Sequence, residues 1–293
     1  MISAETSLSE VVPGIRVLPL RTPTLPPATH TNCVFLGLGR PGAADVVVVD
    51  PATPWDDERQ RLAAMLDSLQ SAGAALRAIW LTHHHQDHVG AAAWLAERHG
   101  VPIVAHEQTA HWLAGKMRVQ ARAGDGDTLS VGGLVLRVLH TPGHASGHLC
   151  LLHEASATLI AGDMLAGVGT IIVDPPDGDM RLYLASLRRL AAYQPEVAVP
   201  AHGPAIRPAV AKIEAYVAHR LWREARVFAA LEETPAALAD LLPRAYGDVA
   251  APLLPLAERS LLAHLRKLVD DGRARADSDQ RFARAHTDSN GRR

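Results

Sequence analysis

The sequence predicts an α/β chain built as two packed β-sheets with helices on their outer faces, followed by a small helical unit. Three observations carry this reading. Short apolar and β-branched runs fall in two clusters with helix-patterned stretches between them. Each segment rich in metal-type residues follows or ends such a run, so one edge of a two-sheet stack can gather them. After Pro208 the pattern becomes helix-rich and leucine-spaced, with no metal motif.

Taken in order, residues 15–20, 32–38 and 45–50 read as strands, and Val46-Val47-Val48-Val49 is the run expected of a strand buried on both faces. Residues 56–71 read as an amphipathic helix, because Leu62, Met65, Leu66 and Leu69 recur at helical spacing. Residues 76–81 form a strand that delivers a histidine-rich loop, and 91–99 form a second helix. Strands over 101–105, 134–139, 148–152 and 158–161 precede a helix over 179–193 and a strand over 197–200. In the tail, residues 212–231 are helical, and Thr234-Pro235 reads as an N-cap followed by proline at the first helical position. Leu261, Leu262, Leu265, Leu268 and Val269 form one apolar stripe that ends at Asp270-Asp271-Gly272. The tail thus reads as a helix-turn-helix with a short wing, and the chain divides into residues 1–208 and 209–293.

Composition excludes more than it selects. The 293 residues suit one domain of about 200 residues with a small appendage. A net charge of −2 gives no global basic field for nucleic acid or an anionic membrane. The opening residues lack a basic and then apolar leader, and no apolar run has the length of a membrane span, so a cytoplasmic protein is expected. Cys33 and Cys150 sit in strand-like apolar runs, which fits small buried hydrophobes rather than a disulfide framework. Residues 205–293 hold 15 Lys or Arg against 12 Asp or Glu, an excess of three. That excess favours a structural cap or a homodimer contact over a nucleic-acid module, although Arg259, Arg266, Lys267, Arg273 and Arg275 are candidates for one positive patch. The polar end after Arg284 is expected to fray.

Chemistry concentrates in Thr82-His83-His84-His85-Gln86-Asp87-His88-Val89-Gly90. His83 and His85, two apart at the end of a strand, share one face of an extended segment and can share an ion. Asp87 and His88 follow closely enough to serve a second, since imidazole and carboxylate are ligands that zinc, iron and manganese accept. His84 alternates away from its flanking partners. His30, His106, His111, His153, His219 and His264 stand outside any such motif and read as ordinary structural histidines.

The pattern His-x-His-x-Asp-His resembles the signature of the metallo-β-lactamase superfamily. Three later segments match in order: His140-Thr141-Pro142-Gly143-His144-Ala145-Ser146-Gly147-His148, which resembles the glyoxalase II branch, then Ala161-Gly162-Asp163, then Ala201-His202-Gly203-Pro204. The tail adds a likeness to the β-lactamase-like protein 2 group, which carries a winged-helix-like domain. The resemblance implies an αββα sandwich, with His83, His85 and His144 on one metal, Asp87, His88 and His202 on the other, and Asp163 shared. It implies two zinc ions, with iron or manganese as alternatives, and hydrolysis of an ester, thioester or phosphodiester, single-stranded RNA included. Asp87 and Asp163 are the catalytic candidates. Asp50 resembles a residue that orients the histidine loop, His148 is either part of the site or packing at a strand entry, and Tyr183 is a candidate hydroxyl for substrate. Two other readings stay open: a mononuclear iron enzyme akin to persulfide dioxygenases, and a non-catalytic nucleic-acid-binding regulator.

Overall fold

The computed structural model describes residues 8–38 and 44–285; the leader reading of residues 1–7 and the polar end beyond Ala285 lie outside them. Strands β1 (Ser9–Val12), β2 (Gly14–Arg21), β3 (His30–Leu38), β4 (Asp45–Val49), β5 (Ala75–Trp80), β6 (Ile103–Ala105) and β7 (Ala121–Arg122) form one sheet in sequential order. The pairs from β1 to β4 are antiparallel and those from β4 to β7 parallel. The second sheet runs β12 (Val197–Pro200), β11 (Thr158–Gly162), β10 (Leu149–His153), β9 (Leu134–His140) and β8 (Thr128–Val131).

Alternation along the strands builds three stacked cores. In β4, Val47 and Val49 face the second sheet, while Val46 and Val48 face the helices outside. The run of four valines is buried throughout, as a two-faced strand requires. Helices α1 (Asp56–Ser71), α3 (Ala92–His99) and α4 (Glu107–Trp112) cover the first sheet, contributing Leu62, Leu95 and Ala110 to that outer core. Helix α5 (Met180–Ala192) and the start of α6 (Ala209–Ala230) cover the second, contributing Leu184, Leu187 and Ile213. The order is therefore helix, sheet, sheet, helix, an αββα sandwich. Cys33 and Cys150 are both buried and free.

Beyond α6 lie α7 (Leu238–Tyr246), α8 (Leu254–Asp270) and a hairpin of β13 (Ala274–Ala276) and β14 (Phe282–Arg284), which is the short wing. Leu261, Leu265 and Leu268 form the apolar face of α8 and pack with Val227 of α6, Leu231 just past its end and Phe282 of the wing. One expectation about this unit is corrected. Thr234-Pro235 starts no helix: Ala236 exchanges backbone hydrogen bonds with Phe282 at 2.9 and 3.0 Å, and α7 begins at Leu238, where the Asp240 carboxylate accepts from the Ala237 N–H. A strand partner has overridden a local capping signal. Of the five cations named for a positive patch, Arg259 pairs with Asp174, Lys267 with Glu224 and Asp271, and Arg273 with Glu224. No helix among the described residues is long and apolar enough to cross a membrane.

His264 on α8 is fully buried, and neither ring nitrogen has a hydrogen-bond partner. Burial, with the neighbouring Arg220, Lys267, Arg223 and His219, holds its pKa down to about 3. It is neutral in the fold and protonates in the unfolded chain near pH 6.5, so its contribution to stability is complete above pH 6.5 and falls as the pH drops towards 3. Replacing it with Leu, of similar bulk, removes that loss: between pH 7 and pH 5 the unfolding free energy of His264→Leu is expected to fall by about 2 kcal/mol less than that of the parent. Urea titrations at the two pH values that give the same fall in unfolding free energy for both proteins would refute this.

Candidate metal centre

Four segments meet at one edge of the sandwich. The histidine loop leaves β5 and continues into the single-turn helix α2 (Gln86–Val89), whose turn presents Asp87 and His88. His144 sits in the loop between β9 and β10, Asp163 follows β11, and His202 follows β12. Glycine is required at two of these corners: Gly162, at φ +49°, would drive a Cβ into the His148 ring at 2.6 Å, and Gly143, at φ +137°, would meet the Tyr183 backbone at 2.2 Å. Asn32 on β3 closes the edge, its amide donating to the Pro200 and Gly203 carbonyls at 2.8 Å each and so pinning the His202 turn to the other sheet.

His83 Nε2, His85 Nδ1 and His144 Nε2 lie 2.9, 2.9 and 3.2 Å from one another. A second cluster holds Asp87, His88 and His202, with His202 Nε2 3.6 Å from Asp87 Oδ2. Asp163 stands between the two. Its Oδ2 is 3.4 Å from His144 Nε2, and its Oδ1 is 3.4 Å from His202 Nε2 and 3.5 Å from His88 Nε2. All seven residues expected as ligands are thus gathered. His30, His106, His111, His153, His219 and His264 belong to none of the metal-type groups among the described residues.

The far nitrogens of the rings are spoken for, which fixes what the near ones can do. His83 Nδ1 donates to Thr82 Oγ1 at 3.0 Å, and that hydroxyl donates in turn to Asp50 Oδ2 at 2.6 Å. His88 Nδ1 donates to Asp50 Oδ2 at 2.8 Å, His144 Nδ1 to the Ile172 carbonyl at 2.7 Å, and His202 Nδ1 to the His30 carbonyl at 3.1 Å. In these four rings the near nitrogen is thereby turned to shared space, the arrangement of imidazoles prepared for a cation. His88 Nε2 and Asp163 Oδ1 are buried without a hydrogen-bond partner, which is the second sign that the donor set fits metal ions.

Electrostatics divide the rings: burial keeps His83 and His85 neutral, whereas the nearby carboxylates favour a proton on His88 that a bound cation would replace. Burial, reinforced by His88, His85 and His144, holds His83 well below the ordinary histidine range, and burial with His144 takes His85 down to about 2. Burial also opposes charge on His88, but the Asp163 and Asp50 carboxylates outweigh it and hold that imidazole well above its usual value. Asp163 is driven the other way by His88 and His202, well below the usual carboxylate range despite its burial.

The remaining expected residues take distinct places. Asp50, at φ +50° where aspartate is tolerated, accepts from the Thr82 N–H, the Thr82 hydroxyl and His88, and so ties the strand end to the histidine loop. His148 is fully buried beneath the cluster: Nδ1 donates to Thr141 Oγ1 at 2.8 Å, and Nε2 accepts from the Asp163 N–H at 3.1 Å. It positions the backbone of Asp163 and has no nitrogen left for an ion. Tyr183 is corrected as a substrate hydroxyl: it is fully buried and donates to the Met164 carbonyl at 2.9 Å, beyond reach of anything bound at the cluster. Thr82 has no assigned role in the sequence reading, although a hydroxyl next to the first histidine is a readable signal. Arg220 of α6 has none either; its guanidinium donates to the Ile171 carbonyl, adjoining the Ile172 carbonyl that orients His144. No local pattern announces that contact.

With this geometry in place, likeness to known proteins becomes informative. The metallo-beta-lactamase superfamily profile matches residues 26–202, and that of the beta-lactamase associated winged helix domain matches residues 237–283. A beta-lactamase-like protein 2 homolog of Drosophila melanogaster is 30% identical over 301 residues, covering 96% of each chain. A Pseudocercospora fijiensis protein named atrochrysone carboxyl ACP thioesterase is 30% identical over 251 residues, covering 83% of this chain and 71% of its own. A crystal structure of a beta-lactamase domain protein from Burkholderia ambifaria superposes with a TM-score of 0.83 at 25% identity, covering 97% of this chain and 95% of that one.

Proposed function

Because the chain belongs to the metallo-β-lactamase superfamily and is one of its metal-dependent hydrolases, we propose that it cleaves a carboxylic thioester or ester at a pair of divalent ions, with zinc the first candidate. The single observation that carries the two-ion reading is Asp163, which turns one oxygen to each of the two clusters. His83, His85 and His144 would hold one ion, Asp87, His88 and His202 the other, and Asp163 would be common to both. Such ions, when bound, make a nucleophilic water available at neutral pH and polarise the scissile carbonyl.

The chain's own residues do the rest. His148 and the Gly162 turn hold Asp163 at one position, and Asp50 holds His88 and Thr82, so the donor set is ordered before substrate arrives. In hydrolysis the water oxygen bonds to the carbonyl carbon, the carbon–sulfur or carbon–oxygen bond breaks, and a proton passes to the departing group. Asp87 is the side chain for that proton: its oxygen faces His202, and it is more exposed than Asp163. The named thioesterase relative supports this substrate class ahead of a phosphodiester, as does the pairing of Arg259, Lys267 and Arg273 with acids.

The test is elemental analysis of the purified protein alongside assays with a thioester, a carboxylic ester, a chromogenic phosphodiester and single-stranded RNA. About two zinc equivalents with thioester or ester turnover is the expected result. One iron equivalent, or turnover of RNA alone, overturns the proposal.

A further inference from the structure

One aromatic side chain at the rim of the site is both rigidly held and open. Trp112 ends α4, and its indole lies flat against the His84 ring, with centroids 5.1 Å apart and planes 12° from parallel. Its Nε1 donates to Ser146 Oγ at 3.2 Å. Asp177 lies beside His84, its Oδ2 3.8 Å from His84 Nε2, and its Oδ1 accepts from the Ser146 N–H at 3.1 Å. Three segments converge to fix one ring, yet Trp112 keeps 43% of its surface exposed.

The position is adjacent to the metal-type cluster, since the His84 ring packs against that of His85 at 4.7 Å. Across the site, on the His202 side, two more apolar side chains are open. Val168, 38% exposed, follows the turn whose N–H donates to the His202 carbonyl, and Leu25, 51% exposed, adjoins Thr24, whose hydroxyl is 3.5 Å from His202 Nε2. Exposed apolar side chains thus adjoin both ends of the donor set.

We propose that Trp112 determines specificity by stacking a planar, conjugated ring in the acyl portion of the substrate, so that aryl thioesters are preferred to alkyl thioesters of the same thiol. The inference rests on the thioester reading above. A ring already immobilised by His84 and Ser146 loses little freedom on binding another, and a favourable aromatic pair then supplies about fivefold to tenfold in selectivity.

The experiment compares kcat/KM for naphthoyl and hexanoyl thioesters of one thiol in the parent protein, Trp112→Ala and Trp112→Phe, and measures quenching of tryptophan fluorescence by free naphthoate. Trp112→Ala is expected to lose about fivefold to tenfold on the naphthoyl thioester and less than twofold on the hexanoyl one, with Trp112→Phe near the parent. His84→Ala should lower the same ratio while bound metal stays unchanged. Equal loss on both thioesters, or naphthoate quenching that persists in Trp112→Phe, overturns the inference, as does quenching by a single-stranded oligonucleotide but not by naphthoate. If the parent hydrolyses no thioester, the reaction assignment fails, and the naphthoate quenching alone then decides whether the ring site exists.

Discussion

Asp163→Asn is expected to cost about a thousandfold in kcat and to lower bound metal in parallel. The substitution keeps the shape of the side chain and the backbone N–H that His148 accepts from, so the fold should survive, as far-UV circular dichroism can verify. What is lost is the negative charge between three imidazoles: the carboxylate faces His144 at 3.4 Å on one side, and His202 and His88 at 3.4 and 3.5 Å on the other. Asparagine offers one weaker oxygen and an N–H pair that repels a cation. His85→Ala, which deletes one ligand from a cluster but leaves Asp163 in place, should cost metal at that cluster first. A fully active Asp163→Asn protein with its normal metal content would end the two-ion mechanism.

Removing residues 234–293 is expected to produce aggregation and the joint loss of every activity, not a soluble hydrolase with one substrate missing. The deletion takes away α7, α8 and the wing, and leaves Val227 of α6 and Leu231 just past its end without the leucines of α8 that cover them. It also strips Ala263 from the core shared with α5 and breaks the Arg259 to Asp174 pair, so the loop before α5 loses its tether. Burial of a single leucine is worth about 1.5–3 kcal/mol, and several are exposed at once against a total stability of about 5–15 kcal/mol. Size-exclusion chromatography with thioester and RNA assays decides the matter. A monodisperse truncated protein that keeps thioester turnover and loses only salt-sensitive RNA binding would show the tail to be a nucleic-acid module after all.

The candidate ligands were readable because metal chemistry restricts residue type and because the loops that carry them are short. His83, His85, Asp87 and His88 fall within six residues, so their proximity is covalent before it is tertiary. His144, Asp163 and His202 are readable for a different reason: each stands just past a strand or its turn, and strand ends are where a sandwich gathers side chains from distant parts of the chain. The winged unit was half legible. Its leucine stripe appears at helical spacing, but the Thr234-Pro235 signal pointed to a helix that pairing between Ala236 and Phe282 forbids.

By itself the sequence determined the donor types, the alternation that buries β4 and β10 on both faces, and the apolar stripe of α8, because each depends on residue chemistry at fixed spacing. Tertiary structure alone decided which nitrogen of His144 and of His202 turns to the cluster. The partners of His144 and His202 are the backbone carbonyls of Ile172 and His30, groups that every residue carries and that no sequence pattern can mark. It decided likewise that Tyr183 turns inward to Met164 and that Trp112 lies open on His84, since an aromatic ring fits a core or a binding face equally well until its neighbours are in place.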